Sequence, residues 1–220
     1  MPAEVSSVKT FHARRGRMTK TRAKILEHVL PQYALALDDS EVDIRKVLST
    51  NEVIVDFGCG MGDATISLLD AGLSVLALDV HTPGICRIAD YANSKSLSNL
   101  ALVHGDGIPA LAQLANESIK TFLVLFPDPW PKAKHNKRRL IQTNFLIIVR
   151  DLLVPDGELV IATDDASYAL HIEEVIDAYP DLQRAPNTFQ IPDTGFHRRG
   201  LNLGNSVSIY TMRKIEGGPI

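Results

Sequence analysis

No uninterrupted apolar run reaches the roughly 18 residues that a membrane-spanning helix needs. The basic N-terminus lacks the apolar block of a secretory signal. Both absences lead to the expectation of a cytoplasmic chain with no membrane partner. Cysteine is scarce. Cys59 and Cys86 make no disulfide framework and have no metal-ligand spacing, so no metal cofactor is expected. Tryptophan is scarcer still, with Trp130 alone. Excess charge is also small. The formal net charge is −3, so any nucleic-acid footprint must be local. There is no internal repeat and no long low-complexity linker.

The composition that remains is ordinary for a folded domain, 45% apolar and 22% charged. A chain of 220 residues suits one domain with a substantial core. Residues 1–18 are read as a basic N-terminal arm, and residues 19–220 as that domain. From Lys9 to Lys24 there are seven Lys or Arg and no acid. Such a run suits either a solvated end or an arm that follows phosphates.

From residue 52 the pattern is regular. Apolar, β-branched runs at 52–57, 74–79, 101–106, 120–128 and 157–164 predict strands, with a last strand at 206–214. Helical spacing falls between them, at 63–72, 82–95, 107–115, 137–153 and 166–180, and ahead of them at 19–30. Alternation of this kind predicts an α/β fold, a mostly parallel sheet with helices on both faces. In such sheets ligands bind beyond the carboxyl ends of the strands.

The strand ends carry the polar residues of interest. Strand one runs into "DFGCGMGD", with Gly58, Gly60 and Gly62 at every second position and Asp56 ahead of them. The dinucleotide spacing is absent, because Asp63 stands where its third glycine would be. Strand two ends at Asp79, placed to accept hydrogen bonds from ribose hydroxyls. Strand three ends in "HGDG", where Asp106 can accept from an adenine amino group. Strand four ends in "FPDPW", with Pro127 and Pro129 restricting the backbone around Asp128. Trp130 is placed either to stack on a base or to cap the core. Strand five ends in Asp164 and Asp165. After Asp128 no acid occurs until Asp151, and six of the eight residues from Lys132 to Arg139 can carry positive charge if His135 is counted. Read as a helix start, these cations oppose the helix dipole, a cost that suits service to a polyanion.

These stretches together resemble the bacterial tRNA (guanine-N7)-methyltransferases. The likeness runs from "FHARRGRMTKTRAK" through "VDFGCGMGDA", "DVHTPGI", "HGDG", "FPDPWPKAKHNKRR" and "ATDDASYA" to "TGFHRRGLNLGNSV". It implies the Rossmann-like, seven-stranded sheet of class I S-adenosylmethionine-dependent methyltransferases. It implies methyl transfer from S-adenosyl-L-methionine to N7 of a tRNA guanine, usually position 46 in the variable loop. The partner implied is tRNA. No obligatory protein partner is expected, and the chain is expected to be a monomer or homodimer.

By the same resemblance Asp56, Gly58, Gly60, Gly62, Asp79, Asp106 and Asp128 belong to the cofactor site, and Asp128 to the reacting centre. Lys132 and Asp164 match substrate-contacting positions. Lys134, His135, Asn136, Lys137, Arg138 and Arg139 match an RNA-contacting segment. Thr194, Gly195, Phe196 and His197 match a substrate motif that ends in Glu in the family. A neutral His197 accepts one hydrogen bond where Glu accepts two, which loosens guanine selection.

Guanine N7 has an in-plane lone pair, so no proton must leave before it attacks. Neither a Ser-His-Asp triad nor a cysteine nucleophile is required. Three other readings compete. "DPW" also suggests a class I methyltransferase acting on an amino group, the fold could serve a non-catalytic tRNA-binding protein, and the alternation could serve a nucleotide-dependent oxidoreductase.

Overall fold

The structure, a computed structural model, describes residues 10–11, 18–38, 40–192 and 206–214. Five apolar segments form parallel strands, Val53–Phe57 (β1), Ser74–Asp79 (β2), Leu100–His104 (β3), Ile119–Leu125 (β4) and Leu153–Thr163 (β5). Leu182–Arg184 (β6) and Ser208–Lys214 (β7) complete a seven-stranded sheet in the order β3-β2-β1-β4-β5-β7-β6. β7 runs antiparallel to both neighbours, β5 and β6.

Helices Lys20–His28 (α1), Ile44–Leu48 (α2), Asp63–Asp70 (α3), Thr82–Ser94 (α4), Gly107–Leu111 (α5), Thr143–Leu152 (α6) and Ala166–Asp177 (α7) cover the two faces. The two-residue side-chain period of the strands sorts the core. Val53, Val55, Leu76 and Leu78 pack with Ile44, Leu111, Phe145 and Tyr168 on one face. Ile54, Val75 and Ala77 pack with Ile25, Leu68, Ile85 and Ile88 on the other. With both faces covered, the strands read as continuous apolar runs.

Several elements depart from the sequence expectation. β4 stops at Leu125 instead of continuing through Asp128, because Phe126 adopts a left-handed φ of 55°. β5 begins at Leu153, which pairs with Ile119 across a register shift. The helix expected over 137–153 begins only at Thr143, and Ala133–Arg138 forms a separate 3-10 turn. The basic residues His135, Lys137 and Arg138 therefore lie in the last turn of a helical element. That end of a helix favours positive charge, so the expected dipole cost is absent. The short α2 and β6 were not expected at all.

The chain moves outward from β1 to β3 and returns to β4 beside β1. The β1–β4 boundary is thus the switch point, where loops diverge and leave a crevice.

Candidate functional site

A cavity of about 280 Å³ opens at that switch point. It lies near the lower end of the roughly 300–1,000 Å³ typical of small-molecule sites. Residues 56–61 at the end of β1, Asp79 and His81 at the end of β2, Gly105–Gly107 after β3 and Leu125–Asp128 at the end of β4 line it. The structure thereby brings Asp56, Gly58, Gly60, Asp79, Asp106 and Asp128 to one cavity. Gly62 stands just behind, as the N-cap of α3. Lys132 and Asp164 are not among the lining residues.

The glycine loop is shaped by main-chain contacts. Gly58, Gly60 and Gly62 all have left-handed φ, of 77°, 57° and 80°. The Gly58 and Cys59 amides donate to the Leu78 carbonyl at 2.8 and 3.2 Å. Asp79 then clamps the loop. One of its carboxylate oxygens accepts the Gly60 amide at 2.6 Å, and the other accepts the His81 amide at 2.7 Å. A carboxylate offers about four lone-pair sites, so roughly two remain for a ligand. The α4 backbone presses on the loop from the other side. A Cβ on Gly84 would stand 1.6 Å from the Gly60 carbonyl oxygen, so only glycine fits there.

Asp56 is only 1% exposed, and its carboxylate accepts the Thr65 hydroxyl at 2.5 Å. Burial pushes its carboxyl up to about 6; the Thr65 bond opposes this and the neighbouring Asp79 charge adds to it. Asp106 is exposed and caps α5 by accepting the Ile108 amide at 3.2 Å. Asp63 also lines the cavity, paired with Arg87 at 2.6 Å. With five carboxylates around its wall, the cavity favours a cationic ligand over a diphosphate. Burial pushes the Cys59 thiol well above its usual range, which keeps it protonated and poorly nucleophilic.

Beyond β4 the chain makes a tight turn. Phe126 and Trp130 both have left-handed φ, 55° and 46°, on either side of the half-buried Asp128. Trp130 is 4% exposed, and its indole N–H donates to the Thr10 carbonyl at 3.1 Å. The Arg138 guanidinium lies 4.9 Å from its ring centroid, and the His135 ring meets it edge-on at 5.7 Å. Trp130 is therefore a buried joint between the arm and the basic turn, not a base-stacking platform.

Lys132, Lys134, Asn136 and Lys137 are exposed beside this turn, and His135 and Arg138 are half-buried. Arg139 departs from the RNA-contact expectation. It is 3% exposed, and its guanidinium is committed to Pro129 and Ser167. Asp165 caps α7 by accepting the Tyr168 amide at 2.7 Å, which leaves the half-buried Asp164 as the polar end of β5. Thr194, Gly195, Phe196 and His197 lie outside the described residues.

Sequence reasoning passed over several lining residues, notably Phe11, Phe57, His81 and Leu140. His81 sits two residues past a strand end, so the strand-end rule could have found it. Phe11 and Leu140 arrive by long-range packing that leaves no local signal.

A family model described as "Putative methyltransferase" matches residues 50–206. The chain is 34% identical to the tRNA (guanine-N(7)-)-methyltransferase of Streptomyces avermitilis, over 95% of this chain and 76% of that one. It is 33% identical to the protein of that name from Nitrosospira multiformis, over 96% of each. Among solved structures, a 16S rRNA (adenine(1408)-N(1))-methyltransferase from Catenulisporales acidiphilia aligns with a TM-score of 0.55 at 19% identity, covering 84% of this chain and 96% of that one. At that identity the likeness speaks to the fold alone.

Proposed function

The chain belongs to the tRNA (guanine-N(7)-)-methyltransferase family, and on that premise we propose that it methylates N7 of the guanine at position 46, in the variable loop of tRNA. The observation that carries this reading is the gathering of Asp56, Asp79, Asp106 and Asp128 at one cavity, with an exposed basic turn beside it. S-adenosylmethionine supplies a methyl group on a sulfonium, already activated for transfer. The lining fits that donor, because a cationic ligand suits a wall of carboxylates and a flat base suits Phe57, Leu78 and Leu125.

The residues divide the work. The free lone pairs of Asp79 accept from the ribose hydroxyls. Asp106 accepts from the adenine amino group. Asp56 gives the amino-acid end a buried negative charge. The incoming N7 needs no base, so catalysis rests on alignment with the methyl carbon, about 3 Å away. Positive charge passes to the guanine as transfer proceeds, and the carboxylates of Asp128 and Asp164 face it and stabilise it. Lys134, Lys137 and Arg138 hold tRNA phosphates next to the cavity, with Lys132 nearest the base.

The reaction is proposed to occur in the cytoplasm without a protein partner. The test is methyl transfer by the purified chain to unmodified tRNA, with the product nucleoside identified by mass spectrometry. The expected product is 7-methylguanosine. A methylamino base, or tRNA binding without transfer, would refute the proposal.

A further inference from the structure

Arg139 closes the basic run, yet its side chain points into the protein. Its Nε donates to the Pro129 carbonyl at 3.0 Å. Its Nη1 donates to the Ser167 carbonyl at 3.3 Å, and its Nη2 to the Ser167 hydroxyl at 2.9 Å. The guanidinium carbon lies 5.1 Å from the centroid of the Tyr168 ring, itself fully buried. The Tyr168 hydroxyl accepts the Ile141 amide at 3.1 Å, which fixes the ring under the fork.

These contacts join two strand ends. Pro129 follows Asp128 in the turn after β4. Ser167 stands in the first turn of α7, three residues after Asp164 at the end of β5. The Asp128 turn is also strained, with Phe126 and Trp130 in left-handed conformations that bulky side chains rarely adopt. Such a turn persists only where its surroundings over-determine it. The bond from Arg139 reaches the carbonyl immediately before Trp130. A phosphate contact by Arg139 would abandon three part-buried hydrogen bonds and an aromatic face.

We propose that Arg139 is a positioning residue, a strut that fixes the Asp128 turn against the start of α7 and so sets how Asp128 and Asp164 face the reacting guanine. It rests on the reading of those two acids given above. A planar fork is required, since a lysine in the same place keeps the charge but cannot reach the Pro129 and Ser167 acceptors together.

The test is a double-mutant cycle in single-turnover methyl transfer, run beside tRNA binding across a salt series. Arg139→Lys is expected to slow the step about 10- to 100-fold. Its tRNA affinity and salt slope should match the wild type. In an Asp128→Asn background Arg139→Lys should cost clearly less than in the wild type, since part of the strut's effect runs through the acid that is gone. A merely stabilising role would lower the melting temperature without this non-additivity. Weaker tRNA binding with a flatter salt slope, an unchanged rate, or additive losses would each overturn the strut. Should Arg139→Lys fail to fold, Ser167→Ala removes one bond of the fork and enters the same cycle with a smaller expected loss. A full-rate Asp128→Asn enzyme strikes the role of Asp128 alone. The cycle is then closed against Asp164→Asn, and non-additive losses there with tRNA binding intact would still support the strut.

Discussion

Beyond β1, β2 and β3 the loops that carry the cavity wall are held mainly by main-chain contacts. Glycine conformations, the paired amides on the Leu78 carbonyl and the Asp79 clamp fix that wall. Beyond β4 and β5 the frame depends on side chains. The Asp128 turn leans on Arg139, and Trp130 is covered by Arg138 and His135. The difference suits the two ligands. A small donor of fixed shape is met by a preformed cradle, and a large RNA by groups on a turn that other side chains brace. Damage should therefore differ in kind, lost donor affinity on the first side and lost rate or tRNA grip on the second.

Asp128→Asn is the sharpest way to break the contrast. It should cut single-turnover transfer by about 10²-fold or more while donor affinity changes far less. A near-normal rate in a folded variant would place the reacting centre elsewhere. Asp79→Ala probes the cradle and should weaken S-adenosylhomocysteine binding by about 2–3 kcal/mol, read by calorimetry. Unchanged affinity would mean that the ribose is held by other groups.

Gly84→Ala tests whether the cradle is built by close backbone approach. Its new methyl must displace the Gly60 carbonyl, so denaturant unfolding should show a loss of about 2 kcal/mol. A stability equal to wild type would show that α4 can retreat from the loop freely. Asp56→Asn should act with the opposite sign. The folded carboxyl titrates near 6, against about 3.9 when unfolded. Between those values the folded chain holds a proton that the unfolded chain has released. Stability of the ligand-free chain therefore falls as pH rises from about 4 to about 6, by about 3 kcal/mol, and stays lowered above. Removing the charge should make the variant the more stable protein at pH 7 and nearly equal at pH 4, by urea midpoints. A variant no more stable than wild type at pH 7 would count against a costly buried charge.

The smallest effect belongs to the cations of the basic turn. Lys137→Gln with Arg138→Gln should flatten the plot of log tRNA affinity against log salt by about 0.9 per lost phosphate contact, leaving donor affinity alone. An unchanged slope would make the turn a solvated face.

What could be read beforehand follows the range of the forces involved. β1 to β5 announced themselves because a strand buried on both faces is a local run of apolar residues. The acids at their ends followed from the strand-end rule. The basic turn was misjudged because Lys137–Arg139 precede the apolar period of α6, which begins to bury residues only at Phe145. Nothing local marks Arg139 apart from Arg138. Its burial depends on Ser167, 28 residues on, and that of Trp130 on Thr10, 120 residues back. The short α2 and β6, of five and three residues, hold too little pattern to register.

The placement of β7 bears on how the protein is made. It lies between β5 and β6 and comes after both in the chain. Among the described residues β6 pairs with no other strand, and one edge of β5 has no partner until β7 arrives. From Arg184 to Lys214 is a further 30 residues (214 − 184), about 1.5–6 s of synthesis at ~5–20 residues per second. Through that interval the nascent chain carries an open, apolar strand edge. A ribosome stalled there would hold a chain whose donor cradle is complete and whose sheet is still prone to pair with a neighbour.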